Sequence, residues 1–105
     1  MFTRSAVFRG QIHAGMEEAF FEAVRARLLP AWRQMLHAQD VRVYRPCAAE
    51  EPLADVFLIQ EIDYPSQAAI AEALASERRQ AAVDALASVR HMYDGSHSHI
   101  ISERL

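Results

Sequence analysis

Lysine is missing from this chain: all eleven basic residues are Arg, scattered along the sequence against fourteen acids, for a net charge of −3. A protein that neutralises nucleic-acid phosphates concentrates basic charge on one face, so nucleic acid is not an expected partner. Cysteine occurs once, as Cys47, which excludes an internal disulfide and leaves a reducing cytoplasm as the simplest compartment. Next to Pro46 in a loop, with no adjacent His or helix N-terminus to lower its pKa, Cys47 has a poor case as a nucleophile. There are only three glycines. They form no Gly-x-Gly-x-x-Gly or Walker pattern and no Gly-x-Ser-x-Gly, which removes phosphate-cradling loops and serine hydrolase chemistry. No apolar run approaches the roughly 20 residues of a membrane span. Met1-Phe2-Thr3-Arg4 leads into an alternating stretch rather than a signal-like apolar region, so no membrane association is expected.

What is present is an order of periodicities. A chain of 105 residues with half its residues apolar is expected to form one domain, residues 1–105, around one two-layer core. Phe2 to His13 alternate, with Ala6, Phe8, Gly10 and Ile12 on one face and Val7, Arg9 and His13 on the other. Glu17 and Glu18 open a helix, where the dipole favours acids, that runs to about His37 with a kink at Pro30. Val41–Arg45 and Asp55–Tyr64 read as strands. Ser66 caps a second helical region from Gln67 to about Tyr93, with a bend near Ser76 and a stop at Gly95. His97–Glu103 is the last strand. The order is βαββαβ, an α+β, ferredoxin-like arrangement with an antiparallel four-stranded sheet of order 4-1-3-2 and both helices on one face.

The face without helices then carries Val7, Tyr44, Phe57, Ile59 and Ile101, too apolar to stay bare in water, and a homodimer packed through it is the expected partner. On the same face strand parity places Arg9, His13, Arg42, Glu61, His97 and His99, with His13 brought near His97 by antiparallel pairing. His13, His97 and His99 are the candidate catalytic acids and bases. Arg9, Arg42, Tyr44 and Glu61 are the candidate ligand-binding residues, the arginines suited to a carboxylate, phenolate or enolate. The plain structural reading keeps Arg9 and Glu61 as a cross-strand pair and the histidines at a wet rim. His97 and His99, with His13 or Glu61 as a third ligand, have permissive metal-ligand spacing but no clustered framework, and neither a metal nor another cofactor is expected. Trp32 and the Phe20-Phe21 pair fall at helical spacing and read first as core. His37 and His91, near helix C-terminal ends, suit the dipole as cations.

The run Val56-Phe57-Leu58-Ile59-Gln60-Glu61-Ile62-Asp63-Tyr64-Pro65-Ser66, continuing to Ala73-Leu74-Ala75-Ser76-Glu77-Arg78-Arg79, together with the element order, resembles the dimeric α+β-barrel superfamily. That group holds the EthD-like and antibiotic-biosynthesis-monooxygenase-like small proteins. The resemblance implies a homodimer with a pocket for a small, often aromatic molecule at or near the interface. It implies small-molecule binding or a cofactor-independent enzyme, oxygenase-like or isomerase-like; the alternative is a non-catalytic ligand-binding or stress-associated module. Where EthD-like proteins often carry His before Pro in the first helix, this chain has Leu29 before Pro30, so no catalytic role carries over to that position.

Overall fold

The alternation at the start of the chain becomes strand β1 (Phe2–Ile12), which pairs antiparallel on both sides, with β3 (Val56–Tyr64) and with β4 (Tyr93–Glu103); β2 (Val41–Tyr44) lies outside β3. The computed structural model describes all 105 residues. Its sheet order, β2-β3-β1-β4, is the order 4-1-3-2 counted from the opposite edge. The alternating pattern sets the burial: Ala6, Phe8, Leu58, Gln60, Ile62 and Tyr64 are buried on one face, beneath the helices. All of these but Gln60 join Phe20, Leu28, Trp32, Ile70 and Val89 in a single hydrophobic cluster. Phe57, Phe20 and Tyr93 make an edge-packed aromatic group within it, with ring centroids 5.1 to 5.7 Å apart.

The first helical region is not one kinked helix. It consists of α1 (Glu17–Ala23), a π-helical turn over Val24–Leu28, and α2 (Leu29–Arg33). The Leu29 N–H reaches back five residues to the Val24 carbonyl. Proline has no N–H to give and its ring crowds the carbonyl four residues earlier, so widening the turn just before Pro30 relieves both problems. The inserted residue rotates the remaining helical turns by about 100°, and Trp32 ends up 6% exposed against the sheet. The helix stops at Arg33, short of the expected His37, whose backbone sits in the left-handed region at φ 66°.

The second helical region breaks where the serine pattern indicates. Ser66 Oγ accepts the Ala69 N–H at 3.0 Å to start α3 (Gln67–Ala75). Ser76 turns extended and accepts the Arg78 N–H on its own Oγ, after which α4 (Arg79–Ala87) begins. A 3-10 turn over Arg90–Met92 leads straight into β4, which starts at Tyr93 rather than His97.

Gly95 is therefore not a helix stop. It lies inside β4 directly opposite Gly10 of β1. Gly10 has φ +135°, and a methyl group on either glycine would run into the opposing backbone, at the Asp94 carbonyl for Gly10 and the Arg9 carbonyl for Gly95. Two further placements differ from the parity reading. The register passes from Phe8↔Leu58 to Arg9↔Val56, so Phe57 is the extra residue of a β-bulge and turns toward Phe20 and Tyr93 instead of the uncovered face. Ile101 pairs with Arg4 on the helix side, and Ile100, opposite Ser5 and 60% exposed, takes its place on the uncovered face. Gly10→Ala is expected to destabilise the fold by about 1–3 kcal/mol, read as a lower urea midpoint; an unchanged midpoint would show that the strands separate there at no cost.

Candidate functional site

Three strands build the floor of a cavity beneath the helices. Gln60 of β3, Ala6 of β1 and His99 of β4 form one rung, with Ala6 in the middle. Because alanine is small, the two longer side chains stand on either side of a hollow. The next rung in one direction holds Phe8 and His97, and β1 supplies Arg4 in the other. The roof comes from Trp32 and Met35 after the π-helical turn, Leu74 of α3, and Arg79, Ala82, Val83 and Leu86 of α4. The hollow is half-open to solvent and has a volume of about 160 Å³.

Five polar side chains reach this mostly apolar space. The His97 ring stacks on Phe8 at 4.8 Å, and His99 stands edge-on to His97 at 5.2 Å. Burial and then the neighbouring cations Arg90 and Arg4 push the His97 pKa down. The same causes, burial first and Arg4 next, push His99 down to about 4. His99 is nonetheless an exposed residue, and solvent screens part of the effect. Both imidazoles are thus neutral near pH 7. Arg4 is half-buried, its pKa lowered by burial, and the groups that act on its charge are Tyr64 and Arg79 rather than a carboxylate. Gln60 is 4% exposed and its Oε1 has no hydrogen-bond partner.

Of the seven residues singled out from the sequence, this cavity holds only His97 and His99. They face the helices, because His97 pairs with Phe8 and His99 with Ala6 and therefore share the parity of the core. His13 is not near His97: it comes after Ile12, which pairs with Tyr93, and sits five residues along from Phe8, about 16 Å at strand spacing. Its Nε2 meets Asp94 Oδ2 at 3.1 Å. Arg9 is held by Asp55 at 2.9 Å and by the Pro52 carbonyl. Arg42, Glu61 and Tyr44 do lie on the uncovered face, but Arg42 is fully engaged, with Asp40 at 2.7 Å, Asp63 at 2.8 and 2.9 Å, and Glu61 at 3.1 Å. Neither His13 nor Glu61 is brought to the His97 and His99 pair as a third metal ligand, and no group of three His, Cys, Asp or Glu side chains converges. Nor is His37 simply a helix-terminal cation; its Nε2 lies 2.7 Å from Glu72 of α3.

Sequence reasoning missed Arg4, Gln60 and Arg79. A signal existed for the first two: Arg4 shares the parity of Ala6 and Phe8, and Gln60 that of Leu58 and Ile62, so each is a polar residue inside an apolar stripe.

Arg42 and, to a smaller degree, Thr3 hold the Asp63 carboxyl down at about 2, against an ordinary 3.8. An acid depressed on folding contributes stability above about pH 4 that is lost as pH falls toward 2, here on the order of 2 kcal/mol. The histidines act earlier. Their folded pKa values lie below 6.5, so the unfolded chain takes up protons first and stability falls as pH drops from about 6.5 toward 4. Unfolding free energy measured against pH should therefore decline in two stages, and His99→Gln should flatten the first and leave the second. A single decline below pH 4 in the parent protein would contradict this.

No protein-family model matches the chain, and no curated protein does. Solved structures match it over nearly the whole length. An EthD-family protein from Bacillus halodurans C-125 superposes with a TM-score of 0.76 at 16% identity, covering 100% of both chains. SnoaB from Streptomyces nogalater, described as a cofactor-independent oxygenase, gives 0.62 at 16% identity, covering 99% of this chain and 94% of its own. A protein from Bacteroides fragilis NCTC 9343, described as dimeric with a ferredoxin-like fold, gives 0.71 at 7% identity, covering 98% and 95%. The chain has the ferredoxin-like fold of the EthD-like and monooxygenase-like structures, as its resemblance to the dimeric α+β barrels implies.

Proposed function

We propose that the protein binds a small organic molecule in the cavity between the sheet and α4, as a homodimer joined through the uncovered sheet faces. The observation that carries this reading is α4 itself. Arg79, Ala82, Val83 and Leu86 recur at helical spacing and all line the cavity, yet no residue of the helix is buried. An amphipathic helix ordinarily packs its apolar stripe onto a core. Here a molecule of matching size would complete the layer beneath it and bury surface at about 25 cal/mol per Å².

Cofactor-independent catalysis, oxygenase-like or isomerase-like, is the second reading, favoured by the two neutral imidazoles beside Arg4. A neutral imidazole accepts a proton from a bound hydroxyl or activated carbon, and a guanidinium stabilises the anion left behind. Binding without turnover is the alternative, and the neutral histidines would then be wall groups only. A cytoplasmic site of action fits the exposed free thiol of Cys47, and no helix is long and apolar enough to cross a membrane.

Trp32 is the one tryptophan and lines the cavity, so its fluorescence reports occupancy. Phenol, a small neutral ring, is expected to change that emission saturably, and Ala6→Leu, which fills the floor, to weaken the effect at least about tenfold with an unchanged circular dichroism spectrum. Ala82→Leu fills the same space from the roof if the strand variant does not fold. Saturable quenching that both variants retain would place the binding elsewhere.

For the dimer, the support is Val7, Ile59, Tyr44 and Ile100 on a face no helix covers, with Tyr44 and Ile100 47% and 60% exposed. Light scattering should give twice the chain mass at micromolar concentration, and Ile59→Arg should shift it toward the monomer without unfolding it. A monomeric parent protein would overturn this part of the reading.

A further inference from the structure

We infer that the ligand of this cavity is a single-ring aromatic acid that also carries a hydroxyl group, with its carboxylate toward Arg4 and Arg79 and its hydroxyl toward Gln60. The inference rests on the reading that the cavity binds a small molecule, and it adds that molecule's chemical class. Size comes first. A volume of about 160 Å³ is close to the ~150 Å³ of an apolar protein cavity that accepts one benzene ring, so a single ring fills it. The flat side chains of Phe8 and Trp32 among the walls suit a planar ring.

Charge comes second. Arg4 and Arg79 both reach the cavity, and Arg4 is held there without a carboxylate partner. A half-buried guanidinium is unfavourable unless an anion meets it, and its planar fork matches a carboxylate in two hydrogen bonds. Arg79 is exposed and its side chain donates only to the Leu74 carbonyl, at 3.4 Å, so it stands at the mouth with most of its donors available. The anionic end of the ligand therefore faces outward.

Gln60 supplies the third, independent observation. Its side chain lines the cavity, and the Oε1, turned into the packed wall, makes no hydrogen bond. An unmade hydrogen bond at a buried acceptor costs about 1–3 kcal/mol, and a half-turn of the amide would bring that oxygen to the cavity. A hydroxyl donates to the oxygen or accepts from the N–H, so it suits the amide in either orientation. A hydroxybenzoate combines such a hydroxyl at its inner end with an anion at its outer end on one ring.

The test is Trp32 fluorescence and calorimetric titration with 2-, 3- and 4-hydroxybenzoate, against benzoate, phenol and the neutral 4-hydroxybenzamide. At least one hydroxybenzoate isomer should bind ten or more times more tightly than phenol or the amide, and several times more tightly than benzoate. Arg4→Gln should abolish the advantage over phenol, and Gln60→Leu should abolish the advantage over benzoate. Phenol and the amide binding as tightly as every acid, or Arg4→Gln leaving the acids unaffected, would overturn the inference while the cavity reading stands. If none of the probes, charged or neutral, perturbs Trp32, the cavity reading fails with it.

Discussion

The antiparallel register between β1 and β4 is the constraint on which the rest depends, and two opposed glycines fix it. Gly10 and Gly95 face one another where the backbones come too close for any Cβ. A slip of one residue would bring a side chain into that contact, and it would also turn every residue of β4 to the opposite face. With the register set, His97 falls on Phe8 and His99 on Ala6. The histidines are therefore committed to the helix side some distance from the glycines that commit them. The bulge at Phe57 works in the same direction: it turns one more aromatic ring into the core next to Phe20 and Tyr93 and leaves the uncovered face less apolar than simple alternation indicates.

The roof depends on a second backbone irregularity. Pro30 removes a helical donor, and the π-helical turn before it absorbs the loss by adding a residue. Trp32 consequently points at the sheet over the Ala6 rung. On the other side of the cavity, Ser76 ends α3 and lets α4 leave at a new angle, so its stripe covers the hollow that Ala6 creates. Floor and roof are thus set by a small residue in a strand, a proline in one helix and a serine between two others. None of these three side chains carries chemistry.

That division explains what was legible in the sequence. Element order, the Ser66 cap and the break at Ser76 come from local periodicity and capping, which act over a few residues and leave plain marks, and the sheet order followed from the ferredoxin-like element order. The face on which each histidine lies was not legible. Parity within β4 says only that His97 and His99 point the same way; which way depends on the cross-strand register, and that is set by the Gly10–Gly95 contact, a long-range feature. The helix-stop reading of Gly95 came from the same gap, since glycine ends helices and also permits close strand approach. The π-helical turn was equally hidden, because proline within a helical pattern marks a disturbance without specifying its form.

The two faces of the sheet both carry charged side chains, and they differ in how those charges are matched. On the uncovered face Arg42 is surrounded by Asp40, Glu61 and Asp63, and Thr3 adds a hydrogen bond to Asp63 at 2.7 Å. Such a network gives its one cation more partners than it needs. It orders the sheet surface with one guanidinium against three carboxylates, so a second subunit packed there would leave the excess acid at a wet rim. Beneath the helices the opposite holds: Arg4 is desolvated with no acid against it, Gln60 Oε1 is unmatched, and the two imidazoles are kept neutral. An apolar residue at the Arg4 position would complete the core stripe begun by Ala6 and Phe8 with less desolvation cost. A fold that instead places a cation there, next to an unpaired amide and beneath a helix with no buried residue, gives up local stability, and the proposed ligand is the molecule that would supply the missing partner of each group.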